Sequence, residues 1–111
     1  MVPMTNEEFY QLVKDRMTAT TNVLISKQKE YSRNDDKLHN FKRAAACQGI
    51  SNESACVGMW MKHVISIVDL VQDIDKNQHS EMSLWTEKLN DAHNYLYLLE
   101  GLINERYGYN G

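Results

Sequence analysis

Proline and glycine are scarce in this chain of 111 residues, which contains one proline and five glycines. Both residues interrupt regular structure, so their scarcity argues against a fold of many short strands and tight turns. No segment alternates apolar and polar residues over the length of a strand, although that alternation is typical of a half-buried strand. The sequence therefore predicts an all-α fold built from long helices.

Cysteine is scarce too, and Cys47 and Cys56 stand nine residues apart among small and apolar side chains. This pattern indicates buried free thiols in a reducing compartment rather than a zinc site or a disulfide. The first residues lack the basic and apolar regions of a signal peptide. No unbroken apolar run approaches the roughly 18–20 residues of a membrane span. We therefore expect a cytoplasmic protein that does not enter a membrane.

An excess of positive charge is also missing, because 12 basic and 15 acidic side chains give a net charge of −3. A general DNA or RNA binder needs a basic surface that displaces counterions from phosphates, so we expect no generic nucleic-acid binding. A small anionic ligand is not excluded, since one local cluster of Lys or Arg suffices for it. The phosphate loop, the dinucleotide fingerprint and the His-Glu-x-x-His motif are absent.

Apolar residues recur at helical spacing in four segments. They predict helices at about residues 5–30, 36–48, 51–73 and 81–107. Thr5 and Glu8 have the spacing of a capping box, and Ser51 is placed to cap the third helix. Gly49 and Gly108 are placed to end the second and fourth helices. We expect residues 1–111 to form a single helical domain, a four-helix bundle.

The third and fourth helices are more apolar than a lone bundle of this size buries. The third is apolar around more than half of its circumference, which is typical of a central helix or of a subunit interface. Monomeric proteins rarely leave large apolar patches exposed. We therefore expect a homo-oligomer.

A polar stripe nevertheless runs along the third helix. Its members are separated by four, three and four residues and share one face: Lys62, Ser66, Asp69 and Asp73. On the fourth helix Glu87 and Asp91 stand four residues apart. If the two helices pack antiparallel, the carboxylates form a seat for Mg²⁺, which prefers oxygen ligands. That seat would consist of Asp69, Asp73, Glu87 and Asp91. The alternative is an ordinary solvated face with surface ion pairs.

Three parts of the chain resemble small helical domains common in phages and prophages, including a nucleotide-modification-associated type. They cover residues 29–45, 55–63 and 89–99. The first has a tyrosine before an Asn-Phe pair and an alanine-rich helix, the second a lysine near its middle, and the third an Asp before tyrosine and leucines. These domains are similar to the all-α MazG and dUTPase-like nucleotide pyrophosphatases, which are Mg²⁺-dependent four-helix proteins that oligomerise.

The resemblance implies a pocket between helices for a nucleotide or nucleotide-like phosphate. The pocket would be lined by Tyr31, Asn40, Lys62, Asp91 and Tyr95. Lys62 would neutralise phosphate, Tyr31 would stack or hydrogen-bond, and Asp91 would hold a metal ion or a sugar hydroxyl. The chain departs from the pyrophosphatase pattern, because it has no Glu-x-x-Glu, and Lys88-Leu-Asn-Asp91 keeps only the last residue of Glu-x-x-Asp.

Two functions follow as alternatives. The first is nucleotide binding. If the protein is an enzyme, the reaction is the Mg²⁺-dependent hydrolysis of a nucleoside triphosphate to a monophosphate and pyrophosphate by metal-activated water. The second is a non-enzymatic phage protein, acting in the host cytoplasm, that sequesters a nucleotide signal or inhibits a host defence protein through its apolar surface. The missing Glu-x-x-Glu favours the second.

Overall fold

The computed structural model describes residues 1–26, 36 and 38–108. Within them the chain forms helices and no strands. The helices are α1 (Asn6–Ser26), α2 (His39–Gln48), α3 (Asn52–Asp75) and α4 (Met82–Tyr107). The all-α, bundle-like prediction is confirmed, and the predicted helix limits within these residues agree to within three residues. The predicted end of the first helix near residue 30 lies outside the described residues.

Local side chains start and stop the helices as the sequence predicts. The backbone N–H of Thr5 donates to Glu8 Oε1 at 3.0 Å, and that of Glu8 donates to Thr5 Oγ1 at 3.1 Å. Ser51 accepts a hydrogen bond in the first turn of α3. Gly49 and Gly108 follow α2 and α4 with φ values of 66° and 67°, in the left-handed region that costs glycine little.

The helices α3 and α4 pack antiparallel along most of their length. Glu53, in the first turn of α3, accepts two hydrogen bonds from Arg106 in the last turn of α4, at 2.6 and 2.9 Å. Farther along, His63 of α3 lies beside Asp91 of α4. The helix α2 packs on α3, and α1 packs on α4. The order of neighbours is therefore α2, α3, α4, α1.

The apolar core is small and lies where α2, α3 and α4 meet. Its centre is formed by Phe41, Cys56 and Leu102, with exposed fractions of 5%, 0% and 2%. Five partly buried side chains surround this centre: Leu38, Met59, Tyr95, Leu98 and Leu99. The centre of the core therefore contains no side chain from α1.

The helix α1 is attached to α4 by polar contacts. Arg16 Nη1 donates to Asn90 Oδ1 at 2.5 Å and lies 3.5 Å from the Thr86 carbonyl oxygen. Thr20, one turn after Arg16, is buried. The apolar stripe along the first half of α1 is left exposed: Phe9, Leu12, Val13 and Met17.

The helix α3 has an unusual combination of composition and exposure. By length and composition it is apolar enough to cross a membrane, with a mean hydropathy of 1.3 over 18 residues. Core helices of soluble proteins share this property, so it is weak evidence about membranes. Such core helices are mostly buried, however, whereas only 17% of this segment is buried within the chain. Much of its apolar surface therefore remains uncovered.

Candidate functional site

A groove of about 310 Å³ opens between α2, α3 and α4. It is lined by Asn40, Phe41, Met59, Tyr95 and Leu98. Its volume is at the small end of the range for sites that bind small molecules, and such sites combine apolar walls with a few polar groups. Here the walls are aromatic and aliphatic, and Asn40, which is exposed, supplies an amide. The groove thus suits a compact planar group that forms hydrogen bonds at one edge.

Two other rings contact the ring of Tyr95 in the groove, and Cys56 bonds its backbone. Phe41 meets it edge-on, with 6.0 Å between ring centroids. The His63 ring lies at 4.8 Å, tilted by 37°. The Cys56 thiol donates to the Tyr95 carbonyl oxygen at 3.7 Å. Because these neighbours restrict its rotation, the Tyr95 side chain would lose little conformational freedom when a ligand binds.

Asp91 lies one turn before Tyr95 on α4 and faces His63. His63 Nδ1 and Asp91 Oδ2 are 3.8 Å apart, and both side chains are about three-quarters buried. Lys62 precedes His63, and successive residues of a helix point about 100° apart. Lys62 therefore points away from this contact, and its side chain is exposed.

The structure brings together part of the predicted ligand site. Asn40 and Tyr95 both line the groove, and Asp91 is joined to Tyr95 through His63. Lys62 lies on the surface instead of opposite Asp91. Tyr31 lies outside the described residues.

Four residues in or beside the groove were not predicted as site residues from the sequence: Phe41, Met59, Leu98 and His63. All four lie at helical spacing in apolar segments, where packing in the core is the ordinary interpretation. The sequence did contain one indication that His63 belongs to the site. His63 stands four residues after Met59, and Tyr95 stands four residues after Asp91. These spacings place each pair on one face of its helix.

The predicted magnesium ligands are distributed over different surfaces. Among residues 1–26, 36 and 38–108, no group of three or more His, Cys, Asp or Glu is placed to hold a metal ion. Asp69 and Glu87 are exposed, while Asp73 and Asp91 are half-buried. Asp69 follows His63 by six residues and so points about 120° away from the side of α3 that faces α4. Antiparallel packing alone does not gather these carboxylates, and binding of Mg²⁺ stays a prediction.

Lys42 is a basic side chain near the groove that is already engaged. Its Nζ lies 2.7 Å from Asp36 Oδ2 and 2.6 Å from Glu105 Oε1. Its hydrogen bonds to Asp36 and then Glu105 raise the pKa of Lys42, and the bond from Lys42 holds the pKa of Asp36 below its ordinary value. Lys42 thus ties Asp36 and α2 to the end of α4. The next residue, Arg43, is exposed and stands three residues after Asn40.

A second candidate surface is the outer face of α3. We use this name for five exposed apolar side chains: Val57, Met61, Ile65, Val68 and Val71, which are 36%, 43%, 55%, 45% and 45% exposed. At 100° per residue they fall within about 120° of one another. Cys56 and Leu70, which are buried, point to the opposite side. The helix α3 is therefore apolar on two sides, of which the rest of the described chain covers one.

No protein-family model, curated protein or solved structure matches this chain. The resemblance to phage helical domains and to the MazG-like pyrophosphatases stays a prediction from the sequence.

Proposed function

We propose that this chain is a binding protein whose groove between α2, α3 and α4 takes the base of a nucleotide or of a similar ligand. The observation that supports this most is that Asn40 and Tyr95, which the sequence analysis had assigned to a nucleotide, line one groove together with Phe41. Aromatic side chains favour flat rings, and the carbonyl and amino groups of an asparagine can pair with the edge of a base.

Cations near the groove are suited to the phosphates of such a ligand. Arg43 follows Asn40 by three residues on α2, and Lys62 follows Met59 by three residues on α3. Each cation therefore lies on the same side of its helix as a residue of the groove. Both side chains are exposed. Their ion pairs with a phosphate group would therefore remain solvated. Such exposed pairs contribute little affinity, and the base would supply most of it.

The proposal concerns binding and leaves hydrolysis aside. Cleavage of a nucleoside triphosphate to a monophosphate requires metal-bound phosphate oxygens and an activated water. Of the carboxylates that the sequence offers for this role, Asp69 is exposed on α3, whereas Asp91 belongs to α4 and is half-buried beside His63. A site assembled from them would require α3 to turn relative to α4.

The test is calorimetric titration of the protein with a panel of nucleoside mono-, di- and triphosphates, with and without Mg²⁺. We expect saturable binding by at least one base. Asn40→Ala should weaken that binding about tenfold, as expected for the loss of hydrogen bonds worth about 1–2 kcal/mol. The matched control is Asn22→Ala, since Asn22 is also exposed but lies on α1. Absence of saturable binding throughout the panel, or equal affinity of Asn40→Ala and the parent, would contradict the proposal.

A second candidate function is a protein interaction that requires no ligand, such as inhibition of a host defence protein by a phage protein. The outer face of α3 favours it, because exposed apolar patches of this kind mark interaction sites. Substitution of Met61 by Lys would weaken such an interaction and leave nucleotide binding unchanged. The two candidates therefore respond to different variants.

A further inference from the structure

We propose that α1 is a movable arm, and that its release from α4 uncovers a polar extension of the groove, formed by Asn90 and Asn94, for the hydrogen-bonding edge of the ligand. The identity of that ligand rests on the proposed function. The release of α1 follows from contacts within the chain and does not depend on any ligand.

The attachment point of α1 and the groove are neighbours on one ridge of α4. Four residues follow one another at a spacing of four along this ridge: Thr86, Asn90, Asn94 and Leu98. Consecutive members lie about 40° apart around the helix and adjoin each other. Arg16 of α1 bonds Asn90 and lies 3.5 Å from the Thr86 carbonyl oxygen, whereas Leu98 lines the groove. Asn94 therefore lies between the residues that hold α1 and the wall of the groove.

Asn94 is a buried carboxamide whose oxygen lacks a hydrogen bond. The residue is 6% exposed, and among the described residues no donor bonds Asn94 Oδ1. Buried polar groups in folded proteins are normally hydrogen-bonded, so each exception requires an explanation. A buried acceptor without a donor lowers the stability of the arrangement that buries it. The packing around Asn94 therefore favours a rearrangement that gives its oxygen a donor, from water or from a ligand.

The helix α1 is joined to α4 by few bonds. The described hydrogen bonds between the two helices both come from Arg16, and within the described residues no ion pair joins α1 to another helix. Thr20 of α1 is buried, but its hydroxyl donates to carbonyl oxygens of its own helix. The core centre and the side chains packed on it belong to the other three helices. Release of α1 therefore leaves the core intact, as expected of a unit that opens separately.

The chemistry of Asn90 and Asn94 suits the edge of a base. Each carboxamide has a carbonyl oxygen that accepts and an amino group that donates, and neither is charged. A base presents donors and acceptors side by side along its edge, whereas a phosphate group presents acceptors. Tyr95, which follows Asn94 in the chain, lines the groove, so a ring bound against Tyr95 lies close to the extension. The extension therefore suits the base of a nucleotide better than its phosphates.

Hydrogen exchange of the full chain, followed by mass spectrometry, tests the release of α1. Amides of α1 should exchange at one common rate, at least about tenfold faster than those at the middle of α3 and α4, because the arm opens as a unit. The nucleotide that binds most tightly in the calorimetric panel should raise this rate about fivefold, since a ligand shifts an opening by the ratio of its affinities for the two states.

The possible results separate the arm from the ligand. Equal protection of α1 and α4 would overturn the arm. Binding that leaves exchange in α1 unchanged, or slows it, would overturn the extension and leave the proposed function standing. A panel in which no nucleotide binds would overturn the extension together with the proposed function.

Arg16→Ala distinguishes a movable arm from a helix with a purely structural role. The variant removes the hydrogen bond that holds α1 on Asn90, so exchange in α1 should become faster. Nucleotide binding should become about three- to tenfold tighter, because the cost of opening no longer reduces the apparent affinity. Lys14→Ala, at an exposed residue of α1, is the matched control and should change neither quantity. Weaker or unchanged affinity of Arg16→Ala would overturn the proposal.

Asn94→Leu tests the extension itself. Leucine is similar in size to asparagine and lacks the carboxamide, so nucleotide binding should weaken about fivefold and no longer speed exchange in α1. Asn104→Leu is the matched control on the same helix, since the Asn104 amide bonds the Glu100 carbonyl oxygen within α4, and it should keep the affinity of the parent. Equal affinity of Asn94→Leu and the parent would overturn the extension. If circular dichroism shows that Asn94→Leu does not fold, the affinity of Arg16→Ala decides the proposal.

Discussion

His63 Nδ1 of α3 lies 3.8 Å from Asp91 Oδ2 of α4, at the middle of the longest helix contact in the chain. The same His63 ring lies against Tyr95, which lines the groove. Asp91 is therefore connected to the groove through a histidine, and its role as a ligand of a metal ion or a sugar hydroxyl stays a prediction.

We expect Asp91→Asn to have a small effect on stability. Each side chain of the pair retains more than a fifth of its exposure, and ion pairs in contact with water contribute under about 1 kcal/mol. Urea unfolding measures the difference in free energy. A loss of more than about 3 kcal/mol in unfolding free energy would contradict this expectation. A loss of that size is typical of a buried ion pair from which one partner has been removed.

Arg16→Ala should detach much of α1 from the rest of the chain. Within the described residues, Arg16 donates the hydrogen bond to the amide oxygen of the buried Asn90. Leaving a buried acceptor without a hydrogen bond costs about 1–3 kcal/mol of stability. Hydrogen exchange should therefore become faster in α1 and remain slow in α4. Lys14→Ala removes a neighbouring exposed side chain and serves as the control. Unchanged protection of α1 in Arg16→Ala would show that the apolar contacts of α1 hold it in place.

Gly101→Ala should stabilise the protein. Gly101 lies inside α4, where glycine costs about 1 kcal/mol relative to alanine. A Cβ atom at this position would lie 3.7 and 3.8 Å from the two methyl groups of Leu38, which is ordinary van der Waals contact. We expect a gain of about 0.5–1 kcal/mol in unfolding free energy, seen as a higher melting temperature. A lower melting temperature would contradict this expectation, because it would show that the added methyl group does not fit between Gly101 and Leu38.

Acid should destabilise the fold through Asp36 and Glu53. The hydrogen bond from Lys42 lowers the pKa of Asp36 below its ordinary 3.8, and the hydrogen bonds from Arg106 lower that of Glu53 below 4.5. Because the unfolded chain takes up these protons first, the stabilisation is complete above about pH 4.5 and is lost as the pH falls through the lowered values. Urea midpoints measured from neutral to acidic pH follow this loss.

The comparison for the acid experiment is Glu53→Gln, which removes one of the two ion pairs. Its unfolding free energy should depend less on pH below about 4.5 than that of the parent. Equal slopes in the two proteins would exclude Glu53 as a source of the acid sensitivity.

The two cysteines should differ in reactivity. Cys47 is exposed and Cys56 is buried. Burial raises the pKa of the Cys56 thiol to about 11, so it stays protonated near neutral pH and reacts poorly, since the thiolate is the nucleophile. An alkylating reagent should modify one thiol in the native protein and two in urea, as counted by mass spectrometry. Rapid modification of both native thiols would contradict the observed packing of Cys56.

The expectation of two buried thiols was half right. Both cysteines stand among small or apolar residues, so their local sequence does not distinguish them. Cys56 belongs to the side of α3 that meets α4, whereas Cys47 lies at the end of α2, beside the turn at Gly49. The difference in burial comes from neighbouring helices and has no local cause.

The helices and their ends followed from the sequence, because capping and termination depend on residues within one turn. Thr5 and Glu8 bond each other whatever the rest of the chain does, and Gly49 adopts positive φ without help from distant residues. These features are local, and local chemistry is readable from spacing.

The rotation of α3 about its own axis was decided by the tertiary structure alone. Because this helix is apolar on two sides, its hydrophobic pattern does not say which side meets α4. Packing turned Cys56, His63 and Leu70 inward and left Lys62 and Asp69 outside. That choice placed His63 opposite Asp91, formed the groove around Tyr95, and left the outer face of α3 exposed.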